Sequence, residues 1–280
     1  MTTDATGTTA GSPSDRIDTS VAHPARRYNY WLGGKDNFQA DRESGDAVAE
    51  AFPTIRTAAQ ENRRFLRRAV DYLAREAGVR QFLDIGTGIP TADNTHEVAQ
   101  AIAPETRVVY VDNDPIVLAH ARALLTSSTA GATAYIDADL RDPRRIIADP
   151  ELRRTIDLSQ PVALMLVAVL HFVPDEDDPY ELVRQLLDAL PAGSFLVASH
   201  ATHDYLPPEI AEEARVGARN GGPHGMISLR TRDEFTRFFA GLDLVEPGVT
   251  SVAEWRAQSE RGPRPSAAEV SMYAGVARLS

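Results

Sequence analysis

Five short apolar runs, separated by helix-like stretches, constrain this chain more than any other feature. "RQFLDIG", "RVVYVDND", "ATAYIDADL", "PVALMLVAVL" and "GSFLVASHA" succeed one another between Arg80 and Ala201. Segments such as "DPIVLAHARALLTSS" and "DPYELVRQLLDALP" lie between them with helical spacing. Apolar runs without polar alternation suit strands covered on both faces, so the pattern predicts a mostly parallel sheet in an α/β domain. Ahead of it, Asp41 to Val79 reads as helical. Ile55, Ala58, Ala59, Phe65, Leu66, Ala69, Val70 and Leu73 share a face, and Gly78 closes the pattern. The far end differs. "LRTRDEFTRFFAG" is a helix with Thr231 and Glu234 at capping-box spacing. "LDLVEPGVTSVAEWR" and "EVSMYAGVARLS" are strand-like with no helix between them, which predicts an antiparallel pair on the otherwise parallel sheet.

Composition removes several function classes. No cysteine is present among the 280 residues, so disulfides and thiolate metal sites are excluded, and no other metal-ligand spacing stands out. The net charge of -11 comes without a basic stripe, which argues against nucleic acid as a partner. The start, through residue 22, is rich in Thr, Ser and Gly and reads as a disordered tail without signal-peptide character. "PVALMLVAVLHFV" is too short to span a bilayer, so a membrane protein is not expected and a cytoplasmic one is.

The first chemical motif is "FLDIGTGIPTADNTHEVAQAI". A strand runs into Gly86 and Gly88 and then into a helix. Glycines there permit a tight turn and close approach of a ligand. The third glycine of a dinucleotide fingerprint is missing, which disfavours a nicotinamide oxidoreductase; a plain strand-to-helix turn also fits the loop. At the next strand tip, Asp112 can accept both hydroxyls of a ribose. Asp114, followed by Pro115, reads as the cap of the next helix. Asp139, beyond the third strand, can accept an exocyclic amine with Leu140 offering its backbone N–H, or is simply a loop acid. Three acids at successive strand tips meet where ligands of open α/β sheets bind.

The series "LDIGTG…VDND…DADL" resembles the class I S-adenosylmethionine-dependent methyltransferases from about Arg80 to Ser280. That resemblance implies a Rossmann-like fold with seven mostly parallel strands, the last antiparallel, and an N-terminal helical arm. It implies S-adenosylmethionine as cofactor. Asp84, Gly86, Thr87 and Gly88 would surround its methionine part, Asp112 and Asn113 the ribose, and Asp139 with Leu140 the adenine. The cofactor has no pyrophosphate, which fits both the missing glycine and the acids. "RRYNYWLGGKDNFQADRE" and "PTIRTAAQENRRFLRRAV" further resemble an actinobacterial methyltransferase family formerly labelled as a domain of unknown function, and "LVEPGVTSVAEWR" matches it too.

Lys35, the only lysine of the chain, falls in that first stretch. We expect residues 23–79 to form a lid-like arm and helices ahead of a cofactor-binding domain at 80–280. Tyr28, Asn29 and Lys35 would reach the cofactor. The alternative is an arm that packs its aromatics on the sheet and pairs Lys35 with Asp36 or Asp41. His171, in "VLHFVPD", is the candidate pocket residue and general base, with His200 and His203 behind it and Tyr205, His224 and Trp255 as further acceptor-site candidates. The acceptor is expected to be a small molecule. A cofactor-binding sensor or partner protein without catalysis is the alternative, and no feature speaks to oligomeric state.

Overall fold

The computed structural model describes residues 18–124, 127–219 and 227–280. Most of the expected tail and most of the glycine-rich "ARNGGPHGM" segment, His224 included, lie outside the described residues. Helices α1 (Pro24–Trp31), α2 (Gln39–Ala51) and α3 (Ile55–Arg75) come first. The helical pattern expected from Asp41 onward is interrupted once, between α2 and α3. Phe52 precedes Pro53 and is driven out of the helical region, to φ −134° and ψ 85°. Alternation then begins: β1 (Gln81–Ile85), α4 (Thr95–Ile102), β2 (Arg107–Asp112), α5 (Pro115–Leu124), β3 (Ala132–Asp137), α6 (Pro143–Ala148) and α7 (Pro150–Thr155). It continues with β4 (Ala163–Val167), α8 (Pro179–Leu187), β5 (Phe195–Ala201), α9 (Pro208–Arg219) and α10 (Arg232–Thr236). The chain closes with β6 (Asp243–Leu244), β7 (Thr250–Ser251), α11 (Ala267–Val270) and β8 (Met272–Arg278). No described helix is long and apolar enough to cross a membrane.

The sheet runs in the order β3-β2-β1-β4-β5-β8-β6, with β7 also on β8. Pairs among the first five strands are parallel, and β8 is antiparallel to β5, β6 and β7. Eight strands stand where seven were expected. The extra one arises because the run around "LVEPGVTS" is split. Val245 N donates to Val276 O and Val252 N to Met272 O, but Pro247 between them has no N–H to give the ladder. One interrupted edge strand therefore becomes β6 and β7.

Successive strand residues face opposite sides. Phe82, Val108 and Met165 pack with Phe65, Leu73 and Trp255 beneath α3, whereas Leu83, Val109 and Leu164 pack with Leu186 and Phe235 on the other face. Helix α3 thus belongs to the sandwich, and within the 23–79 arm only α1 and α2 stand outside it. Trp255, a candidate for the acceptor site, is instead fully buried here, edge-on to Phe65 at 5.5 Å and to Tyr72 at 6.0 Å. Arg68 donates to Trp255 O at 2.8 Å and pairs with Glu260, tying α3 to this segment. Trp255→Ala should lower unfolding free energy by about 3–5 kcal/mol, read as a shifted urea midpoint. An unmoved midpoint would contradict this placement.

Candidate active site

Strands β2 and β3 lie to one side of β1, and β4 and β5 to the other. The order reverses between β1 and β4, which opens a crevice at the carboxyl ends of these strands. A separate cleft of about 660 Å³, lined by Gln81, Arg107 and Phe195 among others, lies at the opposite ends of the strands and is remote from the motif residues.

At the β1 tip, Gly86 and Gly88 both have positive φ, +75° and +68°. A Cβ on Gly86 would sit 2.4 Å from Val169 Cγ2, so the loop presses on the turn after β4. At Gly88 a Cβ would meet nothing within 4 Å, which leaves open space for a ligand. Thr87 Oγ1 donates to Asp84 O at 3.0 Å. The Asp84 carboxyl lies beneath the loop, 4% exposed, and accepts from Thr95 Oγ1 at 2.6 Å. Burial raises its pKa to about 6, against the lowering effects of Thr95 and the Arg63 charge.

Asp112 ends β2. Its Oδ2 accepts from Gly88 N at 2.8 Å and its Oδ1 from Asp114 N at 2.9 Å. Burial nevertheless raises its pKa, outweighing both hydrogen bonds. Asp114 caps α5 through Ile116 N at 2.9 Å, as the sequence predicts. Beyond β3, Asp139 accepts from Asn113 Nδ2 and from the backbone and guanidinium of Arg141. These donors, the Arg141 side chain foremost, hold its pKa at about 2. Leu140 is buried beside it.

The arm crosses the same end of the sheet. His23, at the start of α1, places Nδ1 3.0 Å from Asp114 Oδ2. Four residues on, the charge of buried Arg27 is felt at His171 beyond β4. From His23 at the β2 tip, helix α1 runs toward β4 and β5, where Tyr28 bonds Asn62 and Asn62 accepts from Ser199 of β5. Tyr28 donates to Ala59 O and accepts from Asn62 Nδ2, both at 2.9 Å. Asn29 is 3% exposed, and its Oδ1 accepts from Asp36 N and Asn37 Nδ2, shaping the Gly33–Gly34 bend. Lys35 is exposed and pairs with neither Asp36 nor Asp41. Asp41 instead accepts from the backbone N–H groups of His23 and Phe38, and Asp36 lies 3.7 Å from His120 Nε2.

His171 follows β4 in a short 3₁₀ turn, 8% exposed, with Nδ1 unpartnered. Burial, then the Arg230 and Arg27 charges, pushes its pKa down to about 3. His200 lies 5.6 Å away, ring to ring. Its Nδ1 is 2.7 Å from Ala201 O and its Nε2 2.9 Å from Arg230 Nη1. Those partners assign the proton to Nδ1 and leave Nε2 already accepting, so His200 is part of the support for Arg230. Three residues that sequence reasoning passed over join the site: Asn62, Arg63 and Ser199. Arg63 donates to Ala92 O and Asp93 O in the loop after Gly88. Asn62 interrupts the apolar stripe of α3, and Ser199 the apolar run of β5; a polar residue on a buried face is the signal that marks both.

A family profile described as S-adenosyl methyltransferase matches residues 10–280. The chain belongs to the S-adenosyl methyltransferase family. Its members are S-adenosylmethionine-dependent enzymes, so the cofactor of this chain is S-adenosylmethionine. A DUF574 family protein from Streptomyces avermitilis is 49% identical, with TM-score 0.86 over 95% of this chain and 100% of the other. A candidate methyltransferase from Thermobifida fusca is 42% identical, with TM-score 0.84 over 94% and 96%. An O-methyltransferase family protein from Burkholderia thailandensis, 16% identical with TM-score 0.51 over 86% and 63%, shares the fold. No curated protein matches the chain.

The raised pKa of Asp84 has a measurable sign. The folded state holds its proton more tightly than the unfolded chain, so stability contributed by Asp84 is full below about pH 4 and falls as pH rises toward 6. Asp84→Asn, which keeps an acceptor for Thr95, should remove that decline. Urea unfolding of both proteins at pH 4 and pH 7 checks it, and parallel losses in the two would contradict it.

Proposed function

We propose that this protein transfers the methyl group of S-adenosylmethionine to a small-molecule acceptor held at the tips of β4 and β5, under the α1–α2 arm. One observation carries the reading: a glycine loop with open space at Gly88 is bonded to an acid at the next strand tip, and the arm crosses over both. In this reading Asp112 and Asn113 hold the ribose. Asp139 and Leu140 receive the adenine, with Asn113 and Arg141 keeping the Asp139 carboxylate ionised. Asp84, Gly86, Thr87 and Gly88 surround the methionine part. From the arm, Lys35 is a cation without a fixed partner among the described residues and suits a carboxylate. The Tyr28 hydroxyl and Asn29 Oδ1 are committed within the protein, so these two act by shaping the arm.

When bound, the cofactor supplies an electrophilic methyl group on a sulfonium. The chain contributes alignment and exclusion of water, which can supply about 7–11 kcal/mol of barrier reduction. His171, neutral and with a free Nδ1, suits orientation of an acceptor better than removal of its proton, since a base near pKa 3 is weak at neutral pH. The same property favours a second reading, a cofactor-binding sensor without catalysis. Formation of S-adenosylhomocysteine on incubation with a metabolite extract separates the two. The charge of -11 supports a small acceptor over nucleic acid.

Asp112→Ala should weaken S-adenosylmethionine binding by about 1–3 kcal/mol in calorimetry. Equal affinity would remove Asp112 from the site, and no uptake by the wild type at millimolar cofactor would end the whole reading. Lys35→Ala should weaken cofactor retention while leaving the melting temperature unchanged. A lowered melting temperature with intact binding would assign Lys35 to the fold instead.

A further inference from the structure

A line of hydrogen bonds, buried at its centre between Ser199 and Asn62, joins the arm to the turn after β4. Ala168 N donates to Ser199 Oγ at 3.0 Å, and Ser199 Oγ donates to Asn62 Oδ1 at 2.6 Å. Asn62 Nδ2 donates to Tyr28 Oη, and Tyr28 Oη to Ala59 O. The backbone carbonyl of Ala59 can only accept, so Tyr28 Oη donates to it and accepts from Asn62 Nδ2, which turns Asn62 Oδ1 toward the Ser199 hydroxyl. Asn62 and Ser199 are 1% and 0% exposed, where losing one partner strands the next group without water to replace it.

What the line holds is not neutral ground. Ala168 has φ +56°, a left-handed conformation that is unfavourable for a non-glycine residue and persists only where its surroundings enforce it. Directly after it, Val169 closes against Gly86, and His171 follows in the next turn. The seat of Tyr28, the backbone of Ala168, the floor of the glycine loop and the candidate acceptor residue thus share one chain of contacts.

We propose that Asn62 and Ser199 are positioning residues for methyl transfer, coupling the seating of the α1 arm to the strained turn that carries Val169 and His171. The inference rests on the reading that the cofactor lies at these strand tips. They need touch neither cofactor nor acceptor; they act through Ala168.

The test is a double-mutant cycle read by S-adenosylhomocysteine titration in a calorimeter. Tyr28→Phe and Ser199→Ala should each weaken binding roughly fivefold to tenfold, as loss of one buried hydrogen bond does. The double variant should be no weaker than either single one, because both cut the same line. The amide proton of Ala168, followed by NMR, should shift in Tyr28→Phe although the substitution lies outside its own turn. Should Ser199→Ala fail to fold, that amide and the affinity of Tyr28→Phe decide the matter. Independent, multiplying losses, or an Ala168 amide and affinity unmoved in Tyr28→Phe, would overturn the coupling while wild-type binding leaves the cofactor site standing. No binding by the wild type would instead remove the cofactor site and the coupling with it.

Discussion

Everything at the active end of the sheet depends on one carboxylate accepting two backbone N–H groups. Asp112 takes Gly88 N on one oxygen and Asp114 N on the other. The first bond pins the glycine loop of β1 to the tip of β2, and the second shapes the turn from which Asp114 caps α5. Asp114 in turn faces His23 at the root of the arm. Loop, strand tip, helix start and arm are therefore registered to one another through a single residue. Burying that carboxylate raises its proton affinity, and the two N–H donors offset part of the desolvation.

A division of labour among the acids follows from their surroundings. Asp84 sits under the loop, bonded to Thr95 and poorly solvated, with its pKa near 6. Asp139 is half-exposed and gripped by Arg141, with its pKa near 2. Two of the carboxyl groups at these tips thus present different hydrogen-bonding capacities, a buried one that shares the loop's internal bonding and an ionised one that faces outward. The histidines are graded in the same manner. His200 is consumed in holding Arg230, while His171 keeps a free ring nitrogen but little proton affinity.

The strands, their parallel order and the acids at their tips were legible because burial on both faces leaves a local trace: unbroken apolar runs ending in Gly or Asp. The cap at Asp114 and the capping box at Thr231 were legible for the same reason, since both partners lie within one turn. What was hidden depends on residues remote in sequence. Asn62 and Ser199 are 137 positions apart, and only the packing of α3 on the sheet brings them together. The low proton affinity of His171 comes first from its burial and then from Arg230 and Arg27, on elements to either side of it in the chain. The split of the edge strand was within reach, because Pro247 sits in the middle of its run and cannot serve the ladder. Trp255 was misplaced because an aromatic in a loop-like stretch looks the same whether it lines a pocket or, as here, fills the core beneath α3.

That split edge also bears on how the molecule behaves among its own copies. An open sheet margin invites another chain to add a strand, and long, flat, apolar margins are the ones that nucleate aggregates. Here the margin beyond β8 consists of two-residue pieces, β6 and β7, separated by a proline. An incoming strand would find too short a run of unpaired N–H and C=O groups to gain a cooperative ladder. The interruption thus guards solubility at the one flank of the sheet where the alternating helices have ended.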